Sequence, residues 1–230
     1  MDAVVSADGT ELDCDARGDG PPVVLVHGTS ATKAHFQRLA DALADDFRVV
    51  TYDRRGRGDS GDADDYDFQR EVDDLRAVVA AVDGDPVVFG HSFGGLVALE
   101  AAAGGLDASR LVLYEPSVLV DDYHTDLAAR IRDRVDAGDR VGGVEAFFET
   151  VGTLDQVARP VVEQAADIVE TIAREIDVVE SYDLDAPRTG VPTLLVAGEH
   201  GPDHLRRAID ELEHHLEHVE RTEVADAGHV

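Results

Sequence analysis

Cysteine is almost absent from this chain. Cys14 is the only one in 230 residues, so no disulfide can close within it, which suits a reducing cytoplasm. A reactive-thiol role would need a partner base beside it, and Cys14 is set aside on that ground. Lysine is equally scarce. Lys33 stands alone, and arginine supplies the rest of the 20 basic residues, against 49 acidic ones. The formal charge of −29 argues against a nucleic-acid partner, because phosphate would meet a field of its own sign. Such self-repulsion destabilises a compact state in dilute buffer, whereas at molar salt the Debye length falls to about 3 Å. The expectation is a cytoplasmic protein of a high-salt cell. No apolar run approaches the roughly 18 residues of a membrane span, so no membrane association is expected. The first residues, MDAVVSADGTELDCDARG, lack the positive start and apolar core of a signal peptide.

What is present suffices for one core, since 43% of the residues are hydrophobic. Residues 3–6 and 11–15 flank an ADGT turn signal and read as a hairpin. PPVVLVHG (21–28) is a continuous apolar run ending in glycine, the pattern of a strand buried on both faces. Helical patterns at 33–44, 68–82, 94–104 and 203–217 alternate with strand patterns at 47–53, 86–90, 110–115, 192–198 and 220–225. That alternation predicts an α/β fold, a doubly wound and mostly parallel sheet. Residues 117–188 interrupt it. Leu127, Ile131 and Val135 recur every four residues, as do Ile168, Ile172 and Ile176, so several amphipathic helices are expected there. The expected organisation is a core of 1–116 and 189–230 carrying a helical cap at 117–188.

The chemistry concentrates where the strand at 86–90 becomes a helix. There FGHSFGG (89–95) holds Ser92 between Gly90 and Gly94, the G-x-S-x-G pattern of a nucleophile elbow. The glycines allow close backbone approach, and the helix beginning at Phe93 aims free N–H groups at the serine. His27-Gly28-Thr29-Ser30 follows the first buried strand and so falls at the same sheet edge, where open α/β sheets bind ligands. The N–H groups of Thr29 and Phe93 would make a two-donor oxyanion hole. His229, in AGH after the last strand, supplies a base in the required chain order.

Taken together, LVHGTS, YDRRGRGDSG, GHSFGG, LVLYEPS, VPTLLVAGE and AGH resemble the α/β-hydrolase superfamily, in its serine branch with a helical cap. The resemblance covers nearly the whole chain. It implies hydrolysis through an acyl-enzyme on Ser92, with no cofactor, no metal and a small-molecule substrate. It also exposes two departures. Members of the superfamily usually continue past the histidine into a closing helix, so either the chain is a fragment or His229 is poorly held. Many also carry an Asp in a G-x-x-D arrangement after the strand corresponding to 192–198, a place taken here by Gly201. Glu115, one strand earlier, resembles a minority arrangement of the acid; Asp203 is the alternative, with Glu199 behind it.

Other signals are weaker. Gly56-Arg57-Gly58-Asp59-Ser60-Gly61 formally fits a dinucleotide fingerprint, but the carboxylates of DADDYD follow it, so a turn beneath the active site is the better reading. His200, His204, His214, His215 and His218 crowd the last helix without a converging carboxylate set. Phe147, Phe148 and Tyr123 read as core of the cap. Serine at the elbow argues against dehalogenases and epoxide hydrolases, whose relatives place Asp there. An esterase acting on small or medium apolar substrates is the leading expectation. Thioesterase, lactonase, C–C hydrolase and perhydrolase would use the same parts, and a non-catalytic ligand-binding protein is the competing class. Nothing in the sequence sets the oligomeric state.

Overall fold

The structure, a computed structural model, describes residues 1, 3–120, 125–184 and 189–230. Nine strands are found there: β1 (Val4–Val5), β2 (Glu11–Leu12), β3 (Cys14–Arg17), β4 (Pro22–Val26), β5 (Arg48–Tyr52), β6 (Val87–His91), β7 (Arg110–Tyr114), β8 (Thr193–Gly198) and β9 (Val219–Val224). The main sheet runs β3-β5-β4-β6-β7-β8-β9, and all neighbours are parallel except β3, which pairs antiparallel with β5. The helices on the sheet are α1 (Gln37–Leu43), α2 (Phe68–Ala80), α3 (Phe93–Ala103) and α8 (Asp203–His215).

β4 shows why a continuous apolar run is needed at the centre of such a sheet. Val24 and Val26 face the core shared with α2 and α3, while Val23 and Leu25 face α1 on the other side. From Val23 to Val26 no position on this strand meets water, so polar alternation would leave side chains unsatisfied. At its amino end α2 is capped by Asp67, whose carboxylate accepts from the Gln69 N–H at 2.8 Å. Its buried stripe includes Val72, Leu75 and Val79, the face expected from their spacing.

The predicted amino-terminal hairpin is only half right. Val4–Val5 does pair with Glu11–Leu12, but Cys14–Arg17 leaves the hairpin and joins the edge of the main sheet, with Cys14 opposite Tyr52 and Arg17 opposite Val49. The free edge of β5 offers this segment four ladder pairs, more than an isolated hairpin of two-residue arms could supply. Cys14 ends up buried, and burial pushes its thiol up to about 11, which removes thiolate chemistry at neutral pH.

Between β7 and β8 lie α4 (Leu127–Asp136), α5 (Arg140–Val151), α6 (Arg159–Ala165) and α7 (Val169–Ser181). Their apolar faces form a cluster of their own around Ile131, Val144, Phe147, Phe148, Ile172 and Ile176. α7 belongs to both cores, because Ile172 and Ile176 enter this cluster while Val179 packs into that of the sheet. Tyr123 lies outside the described residues. Among those described, no helix is long and apolar enough to cross a membrane.

Candidate active site

The connection from β4 goes to β5 on one side and the chain then returns to β6 on the other, so the ends of β4 and β6 mark the topological switch point. Ser92 sits at the end of β6 with φ 55° and ψ −122°, a left-handed conformation that a non-glycine residue adopts only when its surroundings impose it. Here the surroundings are close-packed backbone. A Cβ on Gly90 would fall 2.5 Å from the Gly94 carbonyl oxygen, and one on Gly94 would fall 2.2 Å from that of Val26. Both flanking glycines are therefore required by contact. The Ser92 N–H donates to the Tyr114 carbonyl at 3.0 Å, and its own carbonyl accepts from Gly95 and Ser117.

Around the Ser92 hydroxyl the structure gathers the residues singled out from sequence. Its Oγ lies 3.2 Å from His229 Nε2, and His229 Nδ1 lies 2.7 Å from Glu115 Oε2. The carboxylate can only accept, so it holds the imidazole proton on Nδ1 and leaves Nε2 free to take the serine proton. Glu115 is wholly buried, and its second oxygen accepts from the Gly198 N–H at 2.9 Å. It too has positive φ, 42°, imposed where β7 ends.

Asp203 and Glu199 are not at this position. Asp203 lies exposed in the first turn of α8, and Glu199, also exposed, accepts from the Asp226 N–H at 2.9 Å. The reason is steric. A Cβ on Gly201 would fall 1.8 Å from Glu115 Oε1, so the carboxylate from β7 already fills the space that an acid on the loop after β8 would use. Nor is His229 poorly held. Its carbonyl accepts from His91 Nε2 at 2.8 Å, the Gly228 carbonyl from the Tyr114 hydroxyl, and the Ala227 carbonyl from the His200 N–H at 2.8 Å.

The Phe93 N–H, first in α3, has no acceptor within its own helix. Thr29 is buried beside Ser92, its carbonyl taken by Arg57 Nε at 2.9 Å and Nη2 at 2.5 Å. Two cavities border Ser92, Thr29 and His229, of about 50 Å³ and about 120 Å³. Phe147 borders both and Phe148 the larger, so these rings serve the core of the insertion and the cavity walls at once.

Several neighbours went unread in the sequence. Ser117 Oγ lies 3.0 Å from Ser92 Oγ; if Ser92 donates to His229, Ser117 is the donor to Ser92. It stands inside the LVLYEPS motif, but its contact with Ser92 is made across the sheet. His91, beside Ser92, is kept neutral by burial and its ring packs 4.8 Å from that of His229. His200 shares an exposed cluster with Glu199 and Asp226, while the Asp53 carboxylate in a second acidic cluster accepts from Lys33 and Asp59 N–H groups. The glycine-rich loop after β5 does not open directly onto a helix, since α2 begins only at Phe68.

His204 faces the smaller cavity, and its pKa is pushed down to about 4, chiefly by burial and next by His229. Below pH 6.5 the unfolded chain takes up a proton that the folded one refuses until about pH 4. The stability present above pH 6.5 is therefore lost as pH falls through that window. His204→Asn is expected to reduce this loss by about 1–2 kcal/mol, read from denaturant midpoints near pH 7 and near pH 5 in high KCl. An unchanged difference between the two midpoints would rule His204 out as its source.

The profile of the alpha/beta hydrolase family matches residues 23–230. The chain belongs to the α/β-hydrolase family. Among solved structures, this α/β hydrolase superimposes on an alpha/beta hydrolase from Sphaerobacter thermophilus with a TM-score of 0.83 at 34% identity, covering 99% of this chain and 94% of that one. An esterase from Exiguobacterium antarcticum shares the fold, with a TM-score of 0.80 at 20% identity over 99% of this chain and 92% of the other. By sequence, the uncharacterized hydrolase YraK of Bacillus subtilis is 33% identical over 120 residues, 50% of this chain and 44% of YraK. The putative carbamate hydrolase RutD of Escherichia coli is 29% identical over 134 residues, 57% of this chain and 49% of RutD. The chain thus spans about half the length of the curated relatives it matches.

Proposed function

We propose that this α/β hydrolase is a serine esterase that cleaves small apolar carboxylic esters through an acyl-enzyme on Ser92. The observation that carries the reading is the unbroken relay from Glu115 through His229 to Ser92, opening on two largely apolar cavities. Ser92 Oγ attacks the ester carbonyl carbon while His229 Nε2 takes its proton, and the N–H groups of Thr29 and Phe93 receive the developing oxyanion. The imidazolium, steadied by Glu115, then returns the proton to the departing alkoxide. Water, deprotonated by the same nitrogen, releases the acid. Every group in this cycle is a side chain or backbone N–H of the chain, so no cofactor enters it.

In this reading residues 117–188 act as the cap that shapes the substrate site, and the enzyme works in the cytoplasm of a high-salt cell. The smaller cavity, about 50 Å³, has room for an acyl group of a few carbons. The test is labelling with a fluorophosphonate in ~3 M KCl, where surface charge is screened, with intact mass, peptide mapping and a Ser92→Ala control. Stoichiometric modification at Ser92, with acetyl to butyryl p-nitrophenyl esters turned over faster than octanoyl, is the expected result. Folded protein that takes up no label would overturn the proposal.

A further inference from the structure

Four charged residues lie fully buried beneath the candidate oxyanion hole. Arg54, Arg57, Glu71 and Glu175 are each no more than 1% exposed. Arg54 pairs with Glu71 Oε1 at 3.1 Å and Glu175 Oε1 at 2.9 Å, and Arg57 pairs with that same Glu175 oxygen at 2.8 Å. Burying such a set is costly, and apolar residues of similar volume commonly give equal or greater stability. Stability alone is thus a poor reason for the network, and its other contacts supply a better one.

Those contacts end on two successive carbonyls. Arg57 gives two N–H groups to the Thr29 carbonyl, and Arg54 Nη2 lies 3.3 Å from the Gly28 carbonyl. His27 adds a third hold. Its Nε2 accepts from the Arg54 backbone N–H at 3.0 Å, which leaves the proton on Nδ1 to donate to the Gly28 carbonyl at 2.9 Å. In a trans peptide the carbonyl of one residue points opposite to the N–H of the next. Fixing the Gly28 carbonyl toward the arginines therefore aims the Thr29 N–H the other way. The Arg54 guanidinium also lies 4.8 Å over the ring of Phe93, the second donor. One carboxylate oxygen on α7 steadies both arms. The preceding residue, Arg174, holds the loop after β5, which carries both arginines, by pairing with Asp62 at 2.9 and 3.0 Å.

We propose that Glu175, on a helix of the insertion, is a positioning residue that aims the Thr29 N–H at the oxyanion by locking Arg54 and Arg57. The insertion then does more than wall the substrate cavity, because seating α7 completes the hole. This inference rests on the serine-esterase reading of the site.

The experiment compares kcat, KM and the affinity for a trifluoromethyl ketone, whose adduct with Ser92 carries an oxyanion. Glu175→Gln keeps size and removes charge. It is expected to lower kcat about 10–100-fold with KM within about threefold, and to weaken the ketone in proportion to kcat/KM. Arg57→Lys keeps the charge balance but withdraws one of the two N–H groups on Thr29, and the same split is expected even if Glu175→Gln fails to fold. Asp74→Asn is the control. It breaks the equally buried pair with Arg55, at 2.7 and 2.8 Å, which makes no contact with the Thr29 loop. It should lower the melting temperature and leave kcat unchanged. Equal losses of kcat in Asp74→Asn and the folded network variants would reduce Glu175 to a structural role and overturn the inference. Wild-type turnover with kcat unchanged in Glu175→Gln or Arg57→Lys overturns it alone, whereas a wild type without turnover overturns the esterase reading along with it.

Discussion

Replacing Glu115 by glycine is expected to lower kcat about 10³–10⁴-fold, and adding Gly201→Asp is expected to recover at least about tenfold of that loss. Without the carboxylate at 2.7 Å, nothing fixes the proton on Nδ1 of His229, and the imidazolium formed during attack loses its partner. Glycine suits the backbone there, since φ at Glu115 is 42°. Gly201→Asp by itself should damage the enzyme, because its Cβ would fall 1.8 Å from the Glu115 carboxylate. With that carboxylate gone, the space opens and the loop after β8 can carry the acid. The two substitutions should thus be harmful singly and partly compensating together, the mark of groups competing for one volume. Steady-state kinetics of the four proteins in high salt settle it. A Glu115→Gly variant with wild-type kcat would remove Glu115 from the relay, and a double variant no better than Glu115→Gly would remove the steric account of Gly201.

The second large effect is expected from salt. With a formal charge of −29, the melting temperature should rise by roughly 20 °C or more between ~0.1 M and ~3 M KCl. The buried arginines should contribute little to that change, because they are matched inside: Arg54 and Arg57 by Glu71 and Glu175, Arg55 by Asp74. The excess is on the surface, where ion pairs such as Arg132 with Asp177 are exposed and add little stability. Self-repulsion of the exposed carboxylates therefore dominates at low salt, when the Debye length exceeds their spacing. Calorimetry across a KCl series measures it. A flat melting temperature would mean that the acidic surface is not a salt adaptation.

Much of the fold was legible because its signals are local. The apolar run of β4, the stripe of Val72, Leu75 and Val79, and the strand-turn-helix around Ser92 are periodicities and turn chemistries contained in short windows. The hairpin boundary failed for the opposite reason. Whether Cys14–Arg17 pairs with β1 or with β5 depends on which edge is free, and no window around residue 14 contains β5. The histidines followed the same logic. His229 was marked by its place after the last strand, but the contacts that hold it come from His91, Tyr114 and His200.

The sequence by itself determined the alternation of strands and helices, the strained turn presenting Ser92, and the histidine that follows the last strand. It left the acid open among three carboxylates, and the tertiary structure places Glu115, not Asp203 or Glu199, against His229. β7 lies between β6 and β8, so the end of β7 delivers that carboxylate beside Ser92 and His229, where Gly201 leaves it room. Glu175 had no sequence signal at all. Its contacts arise only because folding brings α7 against a loop 121 residues earlier, at Arg54, and buries opposite charges where each needs the other.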